Sequence, residues 1–241
     1  MVVHEATTST NDDAKALARE GAPDGTVVLA GRQTAGRGRL GREWHSAEGL
    51  GLYVSVLLRA EEPPDRLGRY ALAAAVAACR ASRALGAPGA GIKWPNDVVV
   101  GRRKLAGILA ELKSGESGRE LVLGIGINVG HGTDDFPAEL RETATSLALT
   151  GGAPVPTRET VAIALLDELG GEIGRLRAGD WDRVRDAFLA MAPAVSGSRV
   201  RLTSGERGIT EGLDPTGALR VRVDRGIVSV HAGESVAPAE D

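Results

Sequence analysis

The sequence predicts an α+β fold, with a mixed β-sheet packed against helices at residues 1–192 and a small all-β module at 193–241. Two observations support this prediction. Strand-like and helix-like apolar patterns alternate through most of the chain, and the end of the chain has the pattern of short strands separated by turns. With 241 residues, of which 42% are apolar, the chain is long enough for one large domain and one small one.

Helices are predicted where apolar residues recur with helical spacing, and the first follows Ser9, Thr10 and Asn11, which have the composition of a helix N-cap region. The predicted helices span 12–20, 70–85, 157–177 and 180–191. The predicted strands of the large domain span 26–30, 51–58, 98–100, 104–112 and 121–129. A linker is predicted at 192–197. The short strands after it span 199–202, 208–213, 218–223 and 227–231, a module of the size of an SH3-like barrel.

Composition excludes several classes of protein. The formal net charge of -3 argues against a general affinity for nucleic acid. A single cysteine, Cys79, excludes an internal disulfide, and its alanine-rich surroundings predict a small buried side chain. The chain has neither a long apolar run nor an opening signal peptide, so a cytoplasmic location is expected.

The most distinctive stretch is residues 31–45, here called the arginine segment. It carries four arginines and several glycines against one acid, Glu43. Glycine lets backbone N–H groups turn inward, and arginine grips phosphate or carboxylate oxygens with two parallel bonds. The segment is therefore predicted to close over an anionic ligand and to become ordered when that anion arrives.

Other chemistries lack their signatures. Residues 36–41 match the G-x-G-x-x-G dinucleotide pattern, but a β-rich run follows them instead of a helix, so the Rossmann interpretation is rejected. No Walker sequence, no zinc-binding pattern and no G-x-S-x-G nucleophile turn occurs. The four histidines are scattered and are interpreted as incidental. Catalysis by alignment and charge stabilisation is the expectation.

Lysine is rare, with four among 29 basic residues. Lys15 and Lys113 are interpreted as incidental, Lys15 on an exposed helix face. Lys93 and Lys104 lie in a distinctive stretch and are the candidates for a site that needs a compact ammonium group.

Alternation along the strands predicts a ligand-facing surface. In the strand at 121–129, Gly124, Gly126 and Asn128 share one face and apolar residues share the other. Bare backbone on that face admits a ligand, although glycines that only relieve packing remain the alternative. In the strand at 104–112, Lys104 is predicted to share a face with Ala106 and Ile108.

Four segments of the chain together resemble the signature sequences of bacterial biotin protein ligases, in that family's order. They are Gly-Arg-Gly-Arg-Leu-Gly-Arg-Glu-Trp at 36–44, Lys-Trp-Pro-Asn-Asp at 93–97, Lys-Leu-Ala-Gly-Ile-Leu-Ala-Glu at 104–111 and Gly-Ile-Gly-Ile-Asn-Val at 124–129. The C-terminal module resembles the SH3-like domain that ends this family. The resemblance implies a biotin–lipoyl ligase fold, related to class II synthetases. It also implies formation of biotinyl-5′-AMP from biotin and MgATP, with transfer to a lysine of a biotin carboxyl carrier domain, and no DNA or membrane partner.

The resemblance also implies roles for individual residues, with metal ligands left unassigned. The implied biotin-binding set is Ser9, Thr10, Asn11, Gln33, Gly36, Arg37, Gly38, Arg39, Trp44, Lys104, Gly107 and Gly124. The implied nucleotide-binding set is Arg39, Arg42, Trp44, Lys93, Asn96 and Asn128. The implied catalytic set is Arg37, Arg39, Asp97 and Lys104. In it the two arginines hold carboxylate and phosphate, Lys104 lies beside the linkage between them, and Asp97 orients metal or assists deprotonation of the amine.

The chain departs from the family pattern in three places. Eight residues precede Ser9, so the monofunctional type without a DNA-binding domain is expected. Some relatives have a C-terminal arginine that reaches the nucleotide, whereas residues 232–238 contain none. Leu40 and Glu43 are less basic than their counterparts in some relatives.

Three alternatives remain at this stage. A lipoate or octanoate ligase or transferase shares the fold but would carry a different lysine segment. An RNA-binding module would need aromatic residues among the arginines, and only Trp44 is near. A purely structural protein would use the arginine segment as a solvated surface turn.

Overall fold

The structure is a computed structural model that describes residues 1–115, 118–151, 154–232 and 236–238. Seven strands of the described residues form one sheet. They are β1 (Val2–His4), β2 (Thr26–Ala30), β3 (Gly51–Ala60), β4 (Ala90–Lys93), β5 (Asp97–Val100), β6 (Arg103–Gly115) and β7 (Gly118–Asn128). Their order is β1-β2-β3-β7-β6-β5-β4, with β1 parallel to β2 and the other neighbours antiparallel. The sheet is therefore mixed, and the predicted fold class is confirmed.

Helices cover both faces of this sheet. The described part of the chain contains α1 (Thr10–Arg19), α2 (Gly68–Ala84), α3 (Arg158–Arg177) and α4 (Trp181–Met191). Ala14 and Ala18 of α1 pack on Val28, Leu57 and Val122, whereas α2, α3 and α4 belong to the larger core on the opposite face. None of these helices combines the length and the apolar character needed to cross a bilayer.

The larger core forms where α2 lies on β6 and β7. Leu123 and Ile127 are fully buried there, and so are the alanines at the centre of α2. Alanine favours the helix and has a short side chain, so α2 can lie close to the sheet. Each fully buried leucine or isoleucine contributes about 1.5–3 kcal/mol through the apolar surface it removes from water. This rigid face supports the opposite one, where α1 and the arginine segment lie.

The sequence patterns missed three strands, of which two (β1 and β4) belong to this sheet and one lies at 236–238, and β6 and β7 are longer than predicted. β1 and β4 are too short to show alternation, and pairing with β2 and β5 defines them. The β6–β7 hairpin continues past the predicted ends because Lys113 pairs with Glu120 and Ser114 with Arg119. Backbone pairing extends the ladder there although the side chains are partly polar.

The C-terminal module is an antiparallel sheet of five strands among the described residues. They are β8 (Ser196–Leu202), β9 (Arg207–Leu213), β10 (Leu219–Val223), β11 (Gly226–Val230) and β12 (Val236–Pro238), in the order β11-β10-β9-β8-β12. The predicted all-β module is thus confirmed. The prediction of a linker at 192–197 is wrong, because Ala192 and Val195 are buried and β8 already begins at Ser196.

The module rests on the start of α2. The Arg69 guanidinium donates to the Pro215 carbonyl at 2.7 Å and lies 4.8 Å from the centre of the Trp181 ring. Gly217 has φ +89°, and a β-carbon there would lie 2.8 Å from Leu72 Cδ1. The turn before β10 therefore requires glycine both for its backbone angle and for its close approach to α2.

Candidate functional site

A cavity of about 440 Å³ opens on the α1 side of the sheet. It is bounded by the start of α1, the arginine segment, the ends of β5, β6 and β7, and the stretch 136–144. The sequence-predicted site residues that line it are Ser9, Thr10, Asn11, Gln33, Arg37, Gly38, Arg39, Arg42, Trp44, Lys93, Asn96, Asp97, Lys104, Gly107, Gly124 and Asn128. Gly36 lies just behind the lining, where its carbonyl accepts a hydrogen bond from the Trp44 N–H at 2.9 Å.

The start of α1 is held in the cavity wall by buried and half-buried hydrogen bonds. The Thr10 N–H and hydroxyl both donate to Gln33 Oε1, at 2.9 and 3.1 Å. The hydroxyl of Ser55, a fully buried residue of β3, lies 2.7 Å from Thr10 Oγ1 and 2.6 Å from Asn11 Oδ1. Asn11 Nδ2 donates to Glu111 Oε2 at 2.6 Å. Ser55 was not among the predicted residues, because a serine within an apolar strand carries no signal of its own.

The glycine-bearing face of β7 forms the cavity floor, as the alternation predicted. A β-carbon at Gly124 would overlap the Asn11 amide, and one at Gly126 would lie 2.5 Å from Trp44 Cε2. The Trp44 ring also covers Gly107 of β6, where a β-carbon would lie 2.8 Å from its Cζ3. The glycines thus admit two side chains that themselves line the cavity, so the face serves both packing and the pocket.

Lys104 points into this cavity, contrary to its predicted orientation. The pairing of β5 with β6 shifts register between Val98 and Val99, and this bulge turns Lys104 toward the Gly107 face instead of the Ala106 face. Its Nζ lies 2.6 Å from Asp97 Oδ1 and 5.3 Å from the centre of the Trp44 ring. The ammonium is thus held between a carboxylate and an aromatic face.

Arg39 reaches the other side of the cavity. Its NH1 donates to Asn96 Oδ1 at 2.7 Å, and Asn96 Nδ2 donates in turn to the Ile108 carbonyl at 2.6 Å. Burial lowers the pKa of Arg39 below its ordinary value, an effect that Asp97 opposes and Arg42 reinforces. Arg39 therefore places a partly desolvated charge in the cavity with an uncharged partner.

Arg37 has charged partners. Its NH1 and NH2 donate to the two carboxylate oxygens of Asp12, each at 2.6 Å. Lys15 Nζ lies 2.9 Å from Asp12 Oδ1 and 3.0 Å from Glu111 Oε1. The prediction that Lys15 is incidental on an exposed helix face is therefore wrong. Because Arg37 donates to it, the pKa of the Asp12 carboxyl is held well below its usual range.

The stretch 136–144, which the sequence did not mark, closes one end of the cavity. Phe136 lines it and stacks on His131 with ring centres 4.8 Å apart and planes 11° apart. His131 is fully buried, and burial lowers its pKa to about 4, with a further contribution from His45. The sequence does contain one indication of this wall, because the aromatic residue Phe136 follows shortly after the glycine-bearing strand β7.

Three cations at the rim of the cavity have no charged partner among the residues that the structure describes. Arg42, Lys93 and Arg102 line it, and none of them takes part in an ion pair formed within the described ranges. Asn128 Nδ2 donates to the Thr145 carbonyl at 2.9 Å, which fixes the end of β7 against the wall.

The stretch 232–238 contains no arginine, although some relatives have one there. Residues 233–235 of this stretch lie outside the described residues.

Comparisons with known proteins agree on one family. The model of the biotin/lipoate A/B protein ligase family matches residues 3–128, and that of the biotin protein ligase C-terminal domain matches residues 195–234. A biotin–[acetyl-CoA-carboxylase] ligase of Mycobacterium tuberculosis is 38% identical over 237 residues, which cover 95% of this chain and 86% of that protein.

Two further comparisons concern a longer protein and a solved structure. The bifunctional ligase/repressor BirA of Bacillus spizizenii is 40% identical over 167 residues, 69% of this chain, and this chain spans 51% of that relative's length. The structure of a biotin protein ligase from Aquifex aeolicus in complex with biotin and ATP superposes with a TM-score of 0.84 at 28% identity, covering 99% of this chain and 98% of that one.

Proposed function

Because the chain belongs to the biotin/lipoate A/B protein ligase family, we propose that it is an ATP-dependent biotin protein ligase. In the first step a carboxylate oxygen of biotin bonds to the α-phosphorus of ATP, and the bond from that phosphorus to the bridging oxygen breaks to release pyrophosphate. In the second step the neutral amine of a carrier lysine attacks the acyl carbon of biotinyl-5′-AMP. AMP leaves with the bonding electrons, and the amine loses a proton as the amide forms.

The observation that carries the proposal is the position of Lys104. Its ammonium projects into the cavity beside Asp97, over Trp44, and next to bare backbone at Gly107. Both steps move negative charge onto phosphate oxygens, and a fixed cation beside those oxygens stabilises the charge as it develops. The cavity contributes no nucleophile to either step, so its residues act by holding, orienting and neutralising.

The polar wall at the start of α1 suits an uncharged polar head group. Ser9, Thr10, Asn11 and Gln33 offer hydroxyl and amide groups there, and hydrogen bonds hold Thr10 against Gln33 and Asn11 against Glu111. We assign this wall to the ureido ring of biotin, together with backbone groups at Gly36, Gly38 and Gly124. Trp44 would cover the apolar part of the ligand.

The nucleotide would lie toward Asn128 and Phe136. Arg39 and the rim cations Arg42 and Lys93 would meet its phosphates, and Asn96 would contact the base. Within the described ranges no cluster of three or more potential metal ligands occurs. Magnesium would arrive with ATP and keep mainly phosphate and water ligands, and Asp97 is a carboxylate that borders the cavity and could orient it. Bound there, it would neutralise phosphate charge.

The choice of biotin over lipoate rests on the C-terminal module. The family that matches residues 3–128 includes both kinds of ligase, whereas the C-terminal domain that matches residues 195–234 is named for biotin protein ligases. We assign catalysis to 1–192 and the accessory module to 193–241. We further propose a cytoplasmic enzyme whose macromolecular partner is the biotin carboxyl carrier domain of a carboxylase.

The test is incubation with MgATP and labelled biotin, with and without a carrier domain, scoring adenylate and protein-bound label separately. Label should appear as adenylate without the carrier and on the carrier lysine when the carrier is present. Lipoate supplied in parallel should give neither product. Activation of lipoate in preference to biotin would replace this proposal with the lipoate-ligase alternative, and no adenylate with either acid would contradict both.

A further inference from the structure

A chain of hydrogen bonds runs behind the cavity wall from β6 to the start of α1. Asn11 Nδ2 donates to Glu111 Oε2 of β6 at 2.6 Å, and Asn11 Oδ1 lies 2.6 Å from the hydroxyl of Ser55 in β3. The Ser55 hydroxyl lies 2.7 Å from Thr10 Oγ1 as well. Because Asn11, Ser55 and Thr10 are buried, these side chains have to satisfy one another.

The direction of this chain follows from its Glu111 end. A carboxylate only accepts hydrogen bonds, so Asn11 turns its NH2 group toward Glu111 and its oxygen toward Ser55. An amide oxygen also only accepts, so the single proton of the Ser55 hydroxyl goes to Asn11. Ser55 is then left with lone pairs on the side that meets Thr10.

The Glu111 carboxylate is itself held in one orientation. Its Oε1 lies 3.0 Å from Lys15 Nζ, while its Oε2 accepts the bond from Asn11 and lies 3.8 Å from Arg37 NH2. Both oxygens are therefore engaged, one toward α1 from outside and one toward the wall. A carboxylate fixed on both sides can fix the amide that it meets.

The consequence for a ligand arises at Thr10, which lines the cavity. Its hydroxyl lies between two oxygens that have no proton to offer, Ser55 Oγ at 2.7 Å and Gln33 Oε1 at 3.1 Å. The one Thr10 hydroxyl proton therefore stays within the wall. What Thr10 offers to the cavity is a pair of electrons, which suits a ligand N–H and opposes a ligand group that can only accept.

We propose that Glu111 is a positioning residue that orients the Asn11 amide and, through Ser55, makes Thr10 an acceptor for an N–H group of the ligand. Glu111 and Ser55 are not among the described residues that line the cavity, so they act through their neighbours. The favoured ligand class carries N–H at this point, as a cyclic urea does and the dithiolane ring of lipoate does not. The identification of that ligand as biotin rests on the proposed function, whereas the direction of the hydrogen bonds does not.

Two replacements of Glu111 separate its charge from its capacity to accept. Glu111→Met removes both and leaves the Asn11 NH2 group without its partner, so the affinity for biotin in isothermal titration should fall about tenfold. Glu111→Gln removes the charge but keeps an acceptor oxygen for Asn11, provided that its own NH2 group turns outward. Its affinity for biotin should stay within about threefold of wild type. A Glu111→Gln variant as weak as Glu111→Met would assign the effect to charge and overturn the proposal.

Ser55→Ala tests the next step of the chain. It removes the proton that Asn11 accepts and should also weaken biotin binding about tenfold. The double variant with Glu111→Met should bind no more weakly than either single one, because both changes act through Asn11. The matched control is Glu120→Met, the same change on the neighbouring strand β7, where the carboxylate lies 2.6 Å from Arg59 instead. Its affinity for biotin should equal that of the wild type.

Steady-state kinetics distinguish this role from a general loss of structure. In Glu111→Met and Ser55→Ala the KM for biotin should rise about tenfold, with kcat and the KM for ATP within about twofold of wild type. A uniform fall of all three with a lower melting temperature would overturn the proposal, and so would wild-type affinity in both variants or fully additive effects in the double one.

Urea unfolding of the ligand-free protein provides a readout that needs no substrate. The effects of Glu111→Met and Ser55→Ala on the free energy of unfolding should again be less than additive, because the two changes break one chain of hydrogen bonds. Additive effects there would overturn the assigned direction. A wild-type protein without affinity for biotin would refute the proposed function, and the unfolding cycle would still decide whether Glu111 acts through Asn11 and Ser55.

Discussion

Gly126→Ala offers a sharp test of the cavity floor, because a single methyl group should displace Trp44. The added β-carbon would lie 2.5 Å from Trp44 Cε2, 2.7 Å from Cζ2 and 2.8 Å from Nε1. These atoms belong to a rigid fused ring, so the whole indole must retreat by about 0.9 Å to restore ordinary contact. Its backbone resists, because the Trp44 N–H is bonded to Gly36.

Overpacking of this kind costs about 1–3 kcal/mol. If the closed, ligand-binding arrangement bears that cost, the affinity for biotin should fall about 5- to 150-fold. Isothermal titration with biotin measures the affinity, and thermal unfolding of the free protein shows how much of the cost falls on the fold. Gly130→Ala is the matched control, since a β-carbon there would lie 3.5 Å from Leu50 Cδ2, an ordinary contact.

Relief of the clash gives the second half of this test. Trp44→Phe removes the fused second ring, so adding it to Gly126→Ala should recover part of the lost affinity. Wild-type affinity in Gly126→Ala with a normal melting temperature would refute the reasoning, because the indole would then not occupy the floor. A Gly130→Ala variant as weak as Gly126→Ala would refute it as well.

Three further predictions concern the site and the fold. Lys104→Ala should lower the rate of adenylate formation by about 10²–10³-fold in single-turnover assays with the melting temperature nearly unchanged, and normal turnover would show that the ammonium is not in the reaction path. Gly170 is exposed in α3, and nothing lies within 4 Å of the β-carbon that alanine would add. Gly170→Ala should therefore stabilise the folded protein by up to about 1 kcal/mol and raise its melting temperature by about 2–4 °C. A lower melting temperature would contradict this. Burial lowers the pKa of His131 from 6.5 to about 4, so between these pH values the folded state binds fewer protons than the unfolded state. The neutral His131 therefore costs no stability above pH 6.5, and the free energy of unfolding falls as the pH drops from 6.5 toward 4. His131→Phe should flatten that part of the stability profile in urea titrations, by as much as about 3 kcal/mol between the two ends, and an unchanged slope would refute the assignment.

Local patterns sufficed for much of the fold and for part of the site. The long helices and strands follow from apolar spacing, which is a property of short windows of sequence. The alternation that puts Gly124 and Gly126 on one face of β7 is equally local, and the structure confirms it. The expected roles of individual residues came instead from resemblance to a family, because no spacing rule assigns Asn96 or Lys104 to a ligand.

What could not be predicted depends on contacts distant in sequence or on irregular backbone. The orientation of Lys104 depends on a bulge that arises from the pairing of β5 with β6, and strict alternation gives the opposite face. Arg37 and Asp12 are 25 positions apart, and their pairing needs the chain to return over α1. Ser55 acquires its role only because α1 happens to begin above it.

The balance of charge in the cavity connects these two groups of findings. Arg37 and Lys104, two of the cations predicted to bind the ligand, already have carboxylate partners within the chain, whereas Arg39 is bonded to an amide. An arriving anion must displace a carboxylate to use either of the first two but only an uncharged group to use Arg39. A site whose cations were all paired with carboxylates would hold its shape but attract anions weakly. A site whose cations were all unpaired would attract anions, but the repulsion between its cations would push it apart. Because some cations are paired and others are not, a near-neutral protein holds the shape of the cavity with paired charges and still presents Arg39 to an anion inside it.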